Sequence, residues 1–127
     1  MYGDANFINQ VPLFSGLDEA QQASLQQKMG QTTLRRGETL FEEGDLGDRL
    51  YIVTEGKVKL GHTSNDGRES LLAVLGPGEI LGELTLFDPG PRSTTATAVS
   101  PATLLHLLHS DLMEIVEANP TLAKHML

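Results

Sequence analysis

The sequence contains no cysteine and no tryptophan, and among its 127 residues there are only four phenylalanines and two tyrosines. The absence of cysteine excludes disulfides, thiolate catalysis and cysteine-held zinc or iron–sulfur clusters. Hydrophobic residues still make up 39% of the chain, so we expect a compact core built mostly from Leu, Val, Ile and Ala. The length predicts a single domain with one such core.

Basic residues are also scarce: nine Lys and Arg against seventeen Asp and Glu give a formal net charge of -8. This balance argues against nucleic-acid binding by these residues, because phosphate contacts need clustered Lys and Arg. No apolar run approaches the roughly 18 residues that suggest a membrane span, and residues 1–10 lack the regions of a signal peptide. We therefore expect a cytoplasmic domain that makes no membrane contact.

Helices are predicted at both ends of the chain. Asp18 is expected to cap an N-terminal helix over about residues 18–29. The apolar face of this helix is uneven and consists of Ala20, Ala23, Leu25 and Met29. C-terminal helices are expected over about residues 111–127, the first opening at Ser110-Asp111 and the last cut off by the end of the sequence. One side of the first of them carries Leu112, Ile115 and Val116.

Between the helices, from about residue 31 to residue 108, glycines separate short segments rich in Leu, Val, Ile and Thr, as in an all-β sandwich or roll. Arg49–Glu55 is the clearest strand, and a second alternating run places Val58 and Leu60 on one face. An Asp-Gly turn predicts a hairpin that returns over residues 69–75. Ala102–Leu108 is predicted to form another strand. We predict a mainly β fold, an antiparallel β-roll of the double-stranded, jelly-roll-like kind, with flanking α-helices.

The segment over residues 80–96 carries the most specific chemistry. Gly82 permits close backbone approach, and a helical turn over residues 83–86 would offer free N–H groups to an anion. Arg92 can place its planar fork on two oxygens of a phosphate diester, and Ser93 can donate to the same anion. Glu83 can accept a hydrogen bond from a ribose 2′-hydroxyl. These side chains together indicate a pocket for a cyclic phosphate fused to a ribose.

At this segment the sequence resembles the catabolite activator protein (CRP/FNR) family and, more broadly, the cyclic-nucleotide-binding domains of kinase regulatory subunits and nucleotide-gated channels. The family's phosphate-binding cassette, Gly-Glu-Leu, a short loop and then Arg-Ser or Arg-Ala, is matched at residues 82–84 and 92–93, and residues 44–58 resemble a second marker stretch. The likeness covers about residues 11–127. The ligand-binding residues that this implies are Gly82, Glu83, Leu84, Arg92, Ser93 and Thr94.

Within the family, residues 87–92 and 66–69 look most like actinobacterial cAMP-receptor-type regulators, which implies cAMP as the ligand. The sequence departs from those regulators in lacking the long dimerisation helix and the helix-turn-helix domain expected after Leu127. Binding to DNA is therefore expected only through a missing C-terminal helix-turn-helix domain, and a homodimer is expected when the C-terminal helix is present.

Other interpretations of single residues are simpler. Gly44, Gly47 and Gly56 are expected to be turn residues, and Asp45, Asp48 and Arg49 to be loop charges that cap turns. The chain's histidines are His62, His106, His109 and His125. We expect no metal site, because residues 106 and 109 are three apart in a predicted strand and would point to opposite faces.

We therefore interpret the chain as the cAMP-sensing domain of a CRP/FNR-type transcription regulator that catalyses no reaction and needs no cofactor beyond its ligand. Ligand binding would act by a population shift. Two alternatives stay open: a cyclic-nucleotide sensor attached to another output, such as a kinase or a channel, and a degenerate roll that binds no ligand and only dimerises or docks partners. Sequence beyond residue 127 would distinguish a transcription regulator from a sensor attached to another output. Calorimetry with cAMP would distinguish a sensor from a roll that binds no ligand.

Overall fold

The structure is a computed structural model, and it describes residues 17–118. The first elements are helix α1 (Glu19–Lys28) and strands β1 (Gly30–Leu34), β2 (Thr39–Phe41), β3 (Leu46–Gly47), β4 (Arg49–Glu55), β5 (Val58–Thr63), β6 (Glu69–Leu75) and β7 (Ile80–Leu81). They are followed by helix α2 (Glu83–Phe87), strands β8 (Gly90–Pro91), β9 (Thr95–Ala98) and β10 (Ala102–Leu108), and helix α3 (His109–Ala118). Within residues 17–118, no helix is long and apolar enough to cross a membrane.

The strands form two four-stranded antiparallel sheets and a small ribbon. One sheet has the order β1-β10-β4-β7, the other has the order β2-β9-β5-β6, and the ribbon pairs β3 with β8. Strands that are neighbours in a sheet are mostly distant in sequence, as in a roll. The predicted fold class, an antiparallel β-roll with flanking helices, is confirmed.

The β1-β10-β4-β7 sheet is covered on both faces. Along β4, Leu50 and Ile52 join a buried cluster with the helices, whereas Tyr51 and Val53 join a second cluster facing the other sheet. Successive side chains of a strand point to opposite faces, so this strand contributes to two cores at once. The first cluster consists mainly of Leu and Ile and the second mainly of Leu, Val and Ala, so the aliphatic core composition is as predicted, although the sheet divides the single predicted core in two.

Helix α1 begins with the predicted cap. Asp18 Oδ1 accepts a hydrogen bond from the Gln21 backbone N–H at 2.8 Å, and Gln21 Oε1 accepts one from the Asp18 N–H at 3.0 Å. This reciprocal capping box satisfies two backbone donors that the helix itself leaves unpaired. The prediction that Asp18 caps the helix is therefore confirmed.

The predicted apolar face of α1 is partly wrong. Ala20 and Ala23 are exposed, and the residues that the helix buries are Gln22 and Leu25. A buried glutamine escapes a hydrophobicity pattern, but here its side-chain Nε2 donates to the carbonyl of Leu17 at 3.1 Å. That bond removes much of the cost of burying a polar amide.

Helix α3 begins two residues earlier than predicted, at His109, which therefore is not a strand residue. The His109 backbone N–H donates to the Asp48 carbonyl at 2.7 Å, and this bond fixes the start of the helix against the β3–β4 junction. Leu112 and Ile115 are buried, and Val116 packs half-buried against the same cluster, as expected. The remainder of the predicted C-terminal helices, residues 119–127, lies outside the described residues.

The predicted hairpin joins β5 and β6. The Ser64 N–H donates to the Arg68 carbonyl at 2.8 Å, and Gly67 supplies a φ of +85° that other residues rarely adopt. Val58 is fully buried and Leu60 packs half-buried beside it, so both point toward the core as predicted.

A half-buried histidine on β10 predicts a pH dependence of stability. His106 Nδ1 lies 2.9 Å from the Thr32 hydroxyl, and burial, aided by the nearby charge of Arg49, lowers the pKa of this imidazole. Between the lowered pKa of His106 in the folded protein and the ordinary pKa of histidine, the imidazole is protonated in the unfolded chain and neutral in the folded one. The free energy of unfolding should therefore fall as the pH drops from about 7 to 5.

Replacement of His106 by Gln removes that titration. Chemical denaturation at a series of pH values should show a smaller loss of stability on acidification in the variant than in the parent. Parallel stability curves for the two proteins would contradict this role of His106.

Candidate functional site

The six residues predicted to bind ligand lie around one cavity of about 310 Å³. It opens between α2 and the segment that links β8 to β9. The predicted residues that line it are Gly82, Glu83, Leu84, Arg92, Ser93 and Thr94, and the cavity is completed by Phe41, Leu60, Thr85 and Pro91. Glu83, Leu84 and Ser93 are exposed, Thr94 is half-buried and Arg92 is buried.

A larger depression of about 760 Å³ lies on the outer face of the β2-β9-β5-β6 sheet. Its walls carry threonines and carboxylates together with Lys59, and this lysine forms an ion pair with Glu69 at 3.7 Å. None of the residues from 82 to 94 lines it. A buried cation distinguishes the smaller cavity, which we therefore take as the candidate site.

Gly82 and helix α2 form one wall of the cavity. Strand β7 pairs with β4, with Leu81 opposite Tyr51, and so delivers Gly82 to the edge of the covered sheet. Gly82 adopts a left-handed conformation with φ +74° at the helix N-cap, and the predicted helical turn follows as α2. Leu86 is fully buried and anchors the turn, whereas Leu84 is 81% exposed at the cavity rim.

Arg92 forms the floor of the cavity and is only 6% exposed. Its Nη1 donates to the Thr85 hydroxyl at 2.8 Å, and its Nη2 donates to the Arg49 carbonyl at 2.9 Å. The guanidinium also lies over the Phe41 ring, 4.4 Å from its centroid. Both of these hydrogen-bond acceptors are neutral.

Burial lowers the pKa of Arg92, and the Tyr51 hydroxyl, Asp48 and Asp45 oppose this shift. A guanidinium nevertheless keeps its charge, because its ordinary pKa lies far above physiological pH. Arg92 is thus a desolvated cation whose hydrogen bonds go to uncharged oxygens. Such a group gains strongly from an anion that reaches it.

Two glycines make room for the Arg92 side chain. A Cβ on Gly82 would lie 2.2 Å from Nη1, and a Cβ on Gly47 would lie 2.5 Å from Nε. The interpretation of Gly47 as a turn residue is therefore wrong: it lies in β3, opposite Gly90 of β8, and gives clearance to the arginine. Gly44 and Gly56 have φ values of +91° and +79°, as expected of turn residues.

Of the three residues expected to be loop charges that cap turns, Asp45 is confirmed, whereas Asp48 pairs with Arg49, which is the first residue of β4. Asp45 Oδ2 accepts a hydrogen bond from the Glu42 N–H at 2.9 Å. Asp48 Oδ1 accepts one from Arg49 Nε at 2.8 Å, and this bond is the main reason why the pKa of Asp48 is lowered. These charges hold the loop, while the Arg49 carbonyl, which no sequence pattern marks, takes part in holding Arg92.

Sequence reasoning missed Thr85, Phe41, Leu60 and Pro91. A threonine between two leucines of a predicted helical turn is a weak signal, because Thr is a poor helix former whose hydroxyl can bond to nearby backbone. Phe41 and Leu60 come from strands that only the folded sheet brings to the cavity. Their contribution could not be predicted without the strand order.

Residues 31–119 match the family model described as "Cyclic nucleotide-binding domain". This chain belongs to the cyclic nucleotide-binding domain family. The resemblance inferred from the cassette is thereby confirmed at the level of the family.

Among solved structures, this cyclic nucleotide-binding domain is similar to the N-terminal domain of a transcriptional regulator from Streptomyces coelicolor A3(2). The two are 54% identical with a TM-score of 0.89, over 94% of this chain and 84% of that one. A CRP-like cAMP-activated global transcriptional regulator of Mycobacterium tuberculosis is 37% identical over 91% of this chain and 51% of its own length. The cyclic AMP receptor protein of Thermus thermophilus is 38% identical over 91% and 53%. The chain thus spans about half the length of these curated relatives.

Proposed function

We propose that this domain senses cAMP for a CRP/FNR-type transcription regulator and binds the ribose and cyclic phosphate in the cavity between α2 and β9. The observation that carries the proposal is the buried guanidinium of Arg92 at the floor of a cavity lined by the whole cassette. A singly charged phosphate diester is the kind of anion that this cation would bind, since its two non-bridging oxygens can accept a bidentate pair of hydrogen bonds from the guanidinium.

Each cassette residue has a role in this proposal. Arg92 binds the phosphate oxygens, each charge-assisted bond contributing about 1.5–3 kcal/mol, and the exposed Ser93 hydroxyl donates to the same group. Glu83, exposed at the rim, accepts from the ribose 2′-hydroxyl. The remaining predicted residues, Gly82, Leu84 and Thr94, provide backbone and side-chain walls around the sugar and phosphate.

The relatives support the choice of ligand and of output. Those from M. tuberculosis and T. thermophilus are named for activation by cAMP or for receiving it, and the M. tuberculosis protein is named a transcriptional regulator. In this proposal, DNA binding and homodimerisation belong to a helix-turn-helix domain and a long C-terminal helix beyond these residues. The net charge of -8 agrees with such a division of labour, because acidic surfaces repel DNA.

Signal transmission would start at the contact between α2 and α3. His109 Nδ1 donates to the Leu86 carbonyl, and the Leu86 side chain packs in the same buried cluster as Leu112 and Ile115. A nucleotide that displaces α2 would therefore also displace the start of α3. If one arrangement of the two helices binds cAMP more tightly, the ligand shifts the population toward it.

Calorimetric titration of the purified protein tests the proposal. We expect saturable binding of one cAMP per chain and much weaker binding of 5′-AMP, which carries the same base and sugar but no cyclic diester. Titration with cGMP in parallel measures how far the described cavity discriminates between bases. Absence of binding to either cyclic nucleotide would refute the proposal and favour a domain that only docks partners.

Replacement of Glu83 by Gln tests the ribose contact. A neutral amide oxygen is a weaker acceptor than a carboxylate, so the preference for cAMP over 2′-deoxy-cAMP should fall by about three- to tenfold while some cAMP binding remains. The measurement is the ratio of the two dissociation constants.

Asp88→Asn is the matched control, because it removes the same charge from an exposed residue just after α2 that does not line the cavity. It should leave the ratio unchanged. A parent protein that binds cAMP and 2′-deoxy-cAMP equally well would rule out the assignment of Glu83 to the ribose.

A further inference from the structure

The Thr85 hydroxyl lies at the centre of the hydrogen bonds that surround Arg92. Thr85 is a buried residue of α2, and its Oγ1 lies 2.8 Å from the Gly82 carbonyl, 3.1 Å from the Arg49 carbonyl and 2.8 Å from Arg92 Nη1. A hydroxyl has one proton and two lone pairs. It can therefore donate to one carbonyl and, at the same time, accept from the guanidinium.

The guanidinium is thereby fixed at two points. Nη1 donates to the Thr85 hydroxyl and Nη2 donates to the Arg49 carbonyl. Two bonds from different nitrogens define the orientation of a planar group, and the Phe41 ring restricts its tilt. Only two of the five guanidinium N–H groups are used in these bonds.

We infer that Thr85 is a positioning residue, whose hydroxyl sets the orientation in which Arg92 meets the phosphate. This inference rests on the proposed function of the site. The Arg49 acceptor is backbone and stays whatever the side chain, whereas the Thr85 acceptor depends on one hydroxyl. Loss of that hydroxyl leaves the arginine charged and buried, with one of these two hydrogen bonds to hold its orientation.

Orientation has a chemical consequence for a cyclic phosphate. Its two exocyclic oxygens are not equivalent, because one is axial and the other equatorial on the fused ring. A guanidinium held in one orientation bonds to them unequally. Replacement of one oxygen or the other by sulfur, a poorer hydrogen-bond acceptor, gives two diastereomers of cAMP phosphorothioate, which the oriented site should bind with different affinities.

The variants for the test are Thr85→Val, which keeps the shape of the side chain and removes the hydroxyl, and Thr85→Ser, which keeps the hydroxyl. For Thr85→Val we expect about a ten- to hundredfold loss of cAMP affinity, the size of one lost hydrogen bond to a charged group, and a ratio of affinities for the two phosphorothioates that falls toward one. Thr85→Ser should retain most of the affinity and the ratio. An equal loss for both diastereomers, with the ratio unchanged, would mean that Thr85 is merely structural and would overturn the inference.

A second measurement needs no nucleotide. With ¹⁵N-labelled arginine, a fixed guanidinium gives separate Nη resonances, whereas one that rotates gives averaged resonances. We expect separate Arg92 resonances in the parent and in Thr85→Ser, and averaged ones in Thr85→Val. If the resonances stay separate in Thr85→Val, the positioning role is wrong. If they behave as expected but the parent binds no cyclic nucleotide, the proposed function fails while the control of Arg92 by Thr85 stands.

Discussion

Replacement of Arg92 by Ala is expected to abolish measurable cAMP binding, with a loss of two to four orders of magnitude in affinity. Two charge-assisted bonds of about 1.5–3 kcal/mol each would disappear, and every tenfold change in affinity corresponds to about 1.4 kcal/mol. The fold should persist, since the variant removes a desolvated charge as well as the contact with Phe41. Calorimetry measures the binding, and circular dichroism with thermal unfolding checks the fold.

Two further variants delimit this prediction. Arg92→Lys should rescue binding only in part, because an ammonium group cannot form the bidentate fork. Arg68→Ala removes the same charge from an exposed hairpin position that pairs with Asp66 at 3.3 Å and does not line the cavity, so it should bind cAMP as the parent does. Parental affinity in a folded Arg92→Ala protein would show that the phosphate lies elsewhere.

Replacement of Gly82 by Ala should also eliminate most cAMP binding, for a steric reason. The new Cβ would lie 2.2 Å from Arg92 Nη1 and 3.1 Å from the Arg49 carbonyl oxygen, so the guanidinium must leave its place. The φ of +74° adds a conformational cost of about 1–2 kcal/mol for a residue with a side chain. We expect at least a hundredfold loss of affinity in titration and a lower melting temperature.

Gly78→Ala separates the two effects. Gly78 has a similar φ of +90°, but a Cβ there meets no atom within 4 Å. This control should lower stability by the conformational cost alone, about 1–2 kcal/mol, and leave cAMP affinity unchanged. If the two variants bind cAMP equally well, clearance for Arg92 is not the function of Gly82.

Local signals made much of the fold predictable. The strand at Arg49–Glu55, the Asp-Gly turn before Glu69 and the cap at Asp18 each depend on neighbours in sequence, and each was confirmed. The apolar face of α1 was wrong because the burial of Gln22 depends on the carbonyl of Leu17 and on the packing of the helix, which no periodicity reveals.

Much of the lining of the candidate cavity could also be predicted from local signals. The six predicted residues lie within the short segment 82–94, so the pattern of Gly82, Glu83 and Arg92 can be recognised without knowledge of the sheets. Gly47 could not be interpreted correctly, because its function depends on an arginine 45 positions later in the sequence that packs against it. Phe41 likewise reaches the site only through the strand order.

Because the sheet is covered on both faces, the residues that determine stability differ from those at the rim that would determine ligand preference. Leu50 and Ile52 on the helix-packed face of β4 are wholly buried, so truncating either to Ala would cost about 2–5 kcal/mol. Leu84 and Ser93 at the rim are exposed, and surface substitutions usually change stability by no more than about 0.5 kcal/mol. A library restricted to the rim can therefore search for new ligand preferences on a scaffold whose melting temperature hardly changes.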